Sequence, residues 1–336
     1  MTTLCVRLTL RSPLGTPLGA DTLFGHLCWG IVYHEGADAL TELLAQMDGP
    51  DPPLVISDPL PAGYVPAPVL PPPASESYDK LFAELATAGT EPVTAHDRIR
   101  TVSRHAWLPA QSWEQVAAAC DAAAVAQAQL AAGSPEPLLP IPATVAHNTI
   151  DRLADRPREP GGLFFEESLY PPHGGCPYDV WVRTSLEARR VEQLFTWALE
   201  GGYGRDAGTG KGRLTVDAVA PIELLDVSQP NAVMTLGTCV PAAENPVAGY
   251  WNIDVRHGKL GGPWAHDTSA DQAGVFKRPV IFLARGAVFH AAEPHPILGR
   301  MVHDVHPTRT EVVTYGYTLT LPLRLTEEAL PCQPTA

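Results

Sequence analysis

The sequence predicts an α+β fold of the ferredoxin-like or RRM-like type, and three observations carry that prediction. Leu4, Val6, Leu8 and Leu10 alternate with Cys5, Arg7, Thr9 and Arg11, which marks a half-buried strand with a basic outer face. Two helices show amphipathic stripes: Leu23, Phe24, Leu27, Cys28 and Ile31 in one, Val191, Leu194, Phe195, Ala198 and Leu199 in the other. Further strand patterns between and after them give strand, helix, strand, strand, helix, strand, the β-α-β-β-α-β order. After residue 221 the pattern turns mostly β, so a second, β-rich domain is expected over 222–330, with a loose tail at 331–336.

Each element has its own signal. Asp21 is placed to cap the first helix. Gly25 and Gly30 each weaken that helix by roughly 1 kcal/mol relative to alanine, which predicts a closely packed neighbouring backbone. Leu40, Leu43, Leu44 and Met47 form a second short stripe. Residues 50–73 hold ten prolines, a density that no helix interior or central strand tolerates, and they read as an extended surface segment. Ser112 and Gln115 make a capping box before an alanine-rich helix ending near Gly133, and its thin apolar face predicts a peripheral insertion spanning about 50–140. His147 to Arg152 enter an irregular basic stretch that reaches Arg158, and Gly161 to Tyr170 read as the return strand of a long hairpin. Val180, Val182 and Thr184 form the next strand. Thr184 and Glu187 box the second long helix, and Gly201 sits where a C′ glycine belongs. Val233–Leu236, Tyr250–Val255 and Val280–Ala284 are strand candidates. Val313 to Leu325 alternate at every second position, with Pro322 placing part of that strand at an edge.

The densest chemical signal is the loop Gly201–Arg213, with six glycines in thirteen residues and Arg205, Lys211 and Arg213 against Asp206. Bare glycine backbone can approach a ligand closely, and basic side chains neutralise phosphates, so the loop suits a polyanion. A Walker A loop is excluded because position 205 is Arg and position 212 is Gly. A Rossmann fingerprint is excluded because this loop closes a helix and leads into the strand Leu214–Val219. A plain solvated turn needs one or two glycines rather than six.

Composition sets outer bounds. At 336 residues and 45% hydrophobic content the chain can hold two cores, and no apolar run reaches membrane-spanning length. No charged n-region marks a signal peptide, and six scattered cysteines without a C-x-x-C pair fit a reducing cytoplasm. Net charge is −14, which argues against general nucleic-acid binding but leaves room for a local basic groove.

Three stretches in order resemble the RAMP superfamily of CRISPR proteins, in particular the fourth Csm subunit of type III-A effector complexes. They are Thr16 to Trp29, the N-x-I-D-R plus G-G-L-F-x-E-E pattern from Asn148 to Glu167, and Gly202 to Arg213. Phe282–Phe289 and Gly316–Leu325 fall where that family's second domain has strands. The resemblance covers most of the chain, leaving out the proline-rich segment and residues 74–140. It implies two RAMP domains, the first over 1–221, with a thumb hairpin between Arg152 and Gly162 that includes Arg156, Arg158 and Gly161. It implies a non-catalytic cap with no cofactor and no metal. Such a cap holds the CRISPR RNA (crRNA) 5′ handle, bridges the large polymerase-like Cas subunit to an adjacent backbone RAMP subunit, and meets target RNA near the thumb. Carried over by position, the handle path is Gly202, Tyr203, Gly204, Arg205, Gly208, Thr209, Gly210, Lys211, Gly212 and Arg213, with Asn148 and Arg152 beside it.

Rival readings remain at this level. A RAMP endoribonuclease processing precursor crRNA needs a general base, for which His26 and His147 are candidates. The helix pattern puts His26 on an exposed face, and His147 reads as a strand-end hydrogen-bonding residue. A backbone-type RAMP that cleaves target RNA would need a carboxylate such as Asp21, which reads better as a helix cap. His295, His303, Asp304 and His306 lack metal-site spacing. A protein scaffold without RNA fits the charge but leaves the glycine loop unexplained.

Overall fold

A computed structural model gives the fold and describes residues 1–87, 92–133, 136–152, 156–157, 162–224, 227–266, 274–293 and 295–331. Strand β1 (Thr2–Leu10) buries Leu4, Val6, Leu8 and Leu10, as their alternation requires. Helices α1 (Ala20–Glu35) and α2 (Ala37–Met47) meet at Gly36, whose φ of 95° turns the chain sharply. The proline-rich segment supplies β2 (Leu54–Ile56), β3 (Leu60–Pro61) and β4 (Tyr64–Pro66). Next come α3 (Ser75–Thr87), α4 (Pro92–Val102), β5 (Trp107–Pro109), α5 (Trp113–Ala118) and α6 (Ala122–Ala131). A long hairpin follows, with β6 (Ile141–Asn148) paired to β9 (Leu163–Tyr170) and, further out, β7 (Ile150–Asp151) paired to β8 (Arg156–Pro157). Then β10 (Cys176–Thr184), α7 (Ala188–Leu199) and β11 (Leu214–Pro221) complete the first half. The second half runs through β12 (Ala232–Thr235), β13 (Gly249–Tyr250), β14 (Ile253–Arg256), β15 (Val280–Leu283), β16 (Val288–His290), β17 (Ile297–Val302) and β18 (Thr314–Leu323).

The first sheet has the order β11-β1-β10-β2, all antiparallel, with β3 also on β10. That is the ferredoxin-like arrangement, but its second strand is not where the sequence pattern places it. The return strand over 161–170 belongs to the hairpin, and the sheet takes Leu54–Ile56 from the proline-rich segment instead. That segment is extended as expected, yet not on the surface: every residue from Pro52 to Pro61 is buried. Its backbone groups are satisfied from both sides. Ser57 N–H donates to the Trp181 carbonyl (2.8 Å), while Tyr315 Oη accepts from Ile56 N–H (2.7 Å) and donates to Ile56 C=O (3.0 Å). Prolines that bring no N–H suit a strand with partners this irregular.

The second sheet runs β13-β16-β12-β18-β17. β18 is buried on both faces along most of its length, and Pro322 lies past the end of β17, pairing with Val233 on one side alone. Among the described residues after 221, the helices are short 3-10 turns at Gly262–His266 and Glu327–Ala329. One continuous apolar core joins both sheets, with α1 between neighbours: Phe24 stacks on Tyr315 of β18 with centroids 4.5 Å apart. The predicted stripe of α7 is its buried set, residue for residue. Gly30 lets α7 approach, since a Cβ there would stand 3.0 Å from Ala198 N, whereas Gly25 faces nothing within 4 Å. No helix among the described residues is long and apolar enough to cross a membrane.

Three caps differ from expectation. The N-cap of α1 is Gly19, without a side-chain bond, and Asp21 lies inside the first turn. Thr184 donates its hydroxyl to Pro53 C=O rather than boxing α7, whose N-cap is Glu187. The alanine-rich stretch is two helices, because Cys120 N–H donates to Arg324 C=O (2.7 Å) and breaks the run, after which Asp121 caps α6 through Ala124 N–H. The insertion is thus only partly peripheral: Trp113, Val116, Ala117 and Cys120 enter the main core, and Leu81, Ile99, Val102 and Ala126 make a separate small one.

Candidate nucleic-acid interface

The loop between α7 and β11 is built on a buried aromatic. Tyr203 is 0% exposed; its hydroxyl accepts from Gly19 N–H (3.0 Å) and donates to Pro17 C=O (3.0 Å). Burial raises the pKa of this phenol, so it stays a neutral donor. Tyr203 N–H donates to Gly212 C=O (2.8 Å), and Gly212 N–H donates to Pro13 C=O (2.7 Å), which pinches the loop shut at its base. The left-handed residue after α7 is Gly202 (φ 82°) rather than Gly201.

Four of the six glycines fall into two groups. At Gly204 a Cβ would stand 2.8 Å from Thr16 Cβ, and at Gly212 1.9 Å from the Tyr203 carbonyl oxygen, so both fold the loop. Gly208 and Gly210 are exposed and a Cβ on either would meet nothing within 4 Å. The outer arc is therefore bare backbone open to a ligand. Its N–H groups do not all point outward as a phosphate nest requires: Thr209 and Lys211 donate to Asp206 C=O, and Gly210 donates to Ala207 C=O.

The three basic side chains differ as well. Arg213 is exposed, and its guanidinium makes no hydrogen bond or ion pair among the described residues. Arg205 is exposed, donates to Glu167 C=O (2.9 Å) and lies 3.3 Å from Asp206. Lys211 is 15% exposed and turns toward the hairpin, where it pairs with Glu166 and donates to Ser168 Oγ (2.8 Å).

The β6–β9 hairpin stands beside the loop with apolar side chains in solvent. Phe164, Glu166 and Ser168 share one face with His147, Val145 and Ala143; Leu163, Phe165 and Glu167 share the other with Asn148 and Ala146. Leu163 is 61% and Phe165 67% exposed. Asn148 and Arg152 are exposed toward the hairpin's far end, and Gly162 C=O accepts from Thr149 N–H (2.7 Å). Arg156 is described only through its backbone in β8, and Arg158 and Gly161 lie outside the described residues. Sequence reasoning missed the part played by Glu166 and Ser168; two acids after Phe164-Phe165, on a strand that returns toward a basic loop, were the available signal.

His26 is not on an open face. The loop folds over α1, Gly204 N–H donates to His26 Nε2 (3.0 Å), and the ring lies 5.2 Å from that of Tyr203. Burial lowers its pKa to about 4. An unfolded-state value near 6.5 then means that the unfolded chain binds the proton first. Stability from neutral His26 is complete above pH 6.5, falls as pH drops, and is lost through pH 4, by up to about 3 kcal/mol. His26→Gln keeps an acceptor without titrating, so its melting temperature should decline less steeply than the parent's between pH 7 and 4.5. Parallel declines would show that His26 is not the titrating group.

The other candidates are occupied. Asp21 pairs with Arg256, which also pairs with Asp254 (2.9 Å); burial pushes the Asp21 carboxyl up while Arg256 opposes it. His147 Nε2 lies 3.2 Å from Glu166, and its ring stacks on Phe164 at 5.3 Å. His303 faces Asp48 (2.8 Å), and His306 Nδ1 accepts from the Arg309 N–H (3.3 Å). Among the described residues no three His, Cys, Asp or Glu side chains are grouped to hold a metal ion.

No protein-family model and no curated protein sequence matches the chain. Solved structures do. A chain in the crystal structure of a Csm1-Csm4 cassette in complex with pppApA matches with a TM-score of 0.54 at 18% identity, over 97% of this chain and 100% of that one. The Csm1-Csm4 cassette in complex with cA4 gives 0.52 at 19%, over 97% and 100%. A chain of the Csm3-Csm4 subcomplex in the type III-A CRISPR-Cas interference complex gives 0.52 at 12%, over 96% and 100%. At these identities the likeness is one of fold: an α+β architecture shared over nearly the whole of this chain.

Proposed function

We propose that this chain is a non-catalytic, Csm4-like RAMP subunit of a type III CRISPR effector complex. In that role it holds the crRNA 5′ handle on the glycine loop and bridges the large polymerase-like subunit to an adjacent backbone RAMP subunit, with target RNA passing near the hairpin. The observation that supports this most directly is the fold likeness over 97% of this chain and all of a chain from a Csm1-Csm4 structure. The loop adds a local reason. Its outer arc is open at Gly208 and Gly210, and Arg205 and Arg213 flank it on a chain whose net charge is −14. In this reading residues 1–221 and 222–330 are the two RAMP domains, and RNA contact is confined to the loop and hairpin. Asn148 and Arg152 extend the path along the hairpin, and the surface elsewhere faces protein or solvent.

Affinity purification of the tagged chain from its native host tests the reading. Processed crRNA and other effector subunits should co-purify, and recovery of neither would sink it. The purified chain should leave precursor crRNA uncut with or without divalent metal; a specific cut lost in His147→Ala would overturn the non-catalytic part.

The charge assignment has its own test. In the co-purified assembly, Arg213→Ala should remove about one released counterion, so the slope of log K against log salt for single-stranded RNA falls by roughly 0.7. An unchanged slope would take Arg213 out of the RNA path.

A further inference from the structure

Lys211 looks in sequence like one of three equivalent cations, but its surroundings set it apart. Its side chain is 15% exposed, with the ammonium paired with Glu166 and donating to Ser168 Oγ at 2.8 Å, and the Asp206 carboxylate 3.7 Å away. Glu166 is itself shared. Its other oxygen lies 3.2 Å from His147 Nε2 on the opposite strand, and the His147 ring stacks on Phe164, 5.3 Å away and tilted by 17°. Lys211, Glu166, His147 and Phe164 thus form a continuous chain from the loop into one face of the hairpin. A second tie runs beside it, from the Arg205 guanidinium to the Glu167 carbonyl at 2.9 Å.

The hairpin needs such ties. Its two strands pair with each other and not with either main sheet. Near its base, Leu14 exchanges backbone hydrogen bonds with Leu169, both at 2.9 Å. Beyond that point a two-stranded ribbon has little stability of its own in water, and its direction must be set by side chains at its base.

We propose that Lys211 is a positioning residue which fixes the hairpin's orientation against the glycine loop through Glu166 and Ser168. It carries no phosphate, and the loop's outward charge is that of Arg205 and Arg213. This deepens the RNA-binding reading and rests on it for the RNA contact, but the loop-to-hairpin tie stands on the protein alone.

Two measurements on the full-length chain and its co-purified assembly test this. Hydrogen exchange should show hairpin amides over 143–148 and 163–168 exchanging at least tenfold faster in Lys211→Met. Glu166→Gln should also speed exchange, and the double variant should fall short of the sum of the two single ones, because both break the Lys211–Glu166 pair. Lys211→Arg, which still reaches Glu166, should exchange like the parent. Salt titration of a fluorescently labelled single-stranded oligoribonucleotide should give Lys211→Met the parental slope, while Arg213→Ala loses roughly 0.7.

Unchanged hairpin exchange in Lys211→Met overturns the proposal. So does additivity of the two single variants. A slope lowered by roughly 0.7 in Lys211→Met makes Lys211 an RNA contact and also overturns it. If the parent assembly binds no RNA at all, the RNA-binding function fails, and the tie is then judged on exchange.

Discussion

Gly212→Ala should unfold the glycine loop, whereas Gly208→Ala, four residues earlier in the same loop, should melt like the parent. The new Cβ at 212 would sit 1.9 Å from the Tyr203 carbonyl oxygen and 2.8 Å from that residue's carbonyl carbon and nitrogen, at a φ of 67°. The left-handed conformation alone costs a non-glycine residue about 1–2 kcal/mol. Relieving the overlap means parting Tyr203 from Gly212, which breaks the bond that closes the loop and draws a fully buried tyrosine out of the core. Removing a large aromatic from a core costs about 3–5 kcal/mol, so the smaller adjustment, a distorted loop base, still loses several kcal/mol. In a chain of this size that is a fall of roughly 5–10 °C in melting temperature. A Gly212→Ala protein that melts with the parent would show that Tyr203 and Gly212 are not held together. Gly208→Val supplies the contrast: it meets open space, keeps the parental melting temperature, and should lose RNA affinity by covering the bare arc.

The same pair of glycines shows what a sequence can and cannot disclose. The loop is legible as a loop and as a candidate polyanion site, because six glycines among basic residues far exceed what a simple turn requires. Sequence alone does not say which glycines serve the fold, since that depends on where Tyr203 and Thr16 lie. The two amphipathic helices are legible because their periodicity is local, and the buried face of α7 matches the expected stripe. Periodicity misplaces His26 because it ranks helix faces by apolarity, whereas here a distant polar loop folds back over the ring. Lys211 cannot be told from Arg213 in sequence, because ion pairing across 45 residues to Glu166 leaves no local trace. The largest departure concerns residues 52–61. Proline density marks a segment that is neither helix nor central strand, but it does not dictate exposure; pairing with β10 and the hydroxyls of Tyr315, Thr184 and Ser57 satisfy this backbone in the interior.

Asp58, within that segment, is where the chain should be most sensitive to one polar substitution. Its side chain is fully buried between the two halves. One carboxylate oxygen accepts Ala20 N–H at 2.8 Å, at the start of a helix that has no local side-chain cap. The other accepts Thr238 N–H at 3.3 Å and lies 3.4 Å from the Arg285 guanidinium. Asp58 therefore caps α1 from across the molecule and ties that helix to the second half of the chain, with the negative charge placed where the helix dipole favours it. Gly237 makes the approach possible, since a Cβ there would stand 2.7 Å from Asp58 N. Asp58→Ala leaves two buried N–H groups without acceptors, at about 1–3 kcal/mol each. The Arg285 pair adds less, because that side chain is 38% exposed and can turn to water. A total loss of roughly 3–5 kcal/mol is expected, read as a lower urea midpoint. Asp58→Asn should fall between, since one amide oxygen can still serve Ala20 while the amide nitrogen faces Thr238 N–H as a second donor. Arg285→Ala should cost less than Asp58→Ala, about 1–2 kcal/mol, because the buried carboxylate keeps both backbone N–H donors and loses only a partly exposed cation. The order Ala, then Asn, then the arginine variant is specific to a carboxylate acting mainly as an acceptor for backbone N–H. If Arg285→Ala proved as damaging as Asp58→Ala, the ion pair would be the main tie and the capping account would fall.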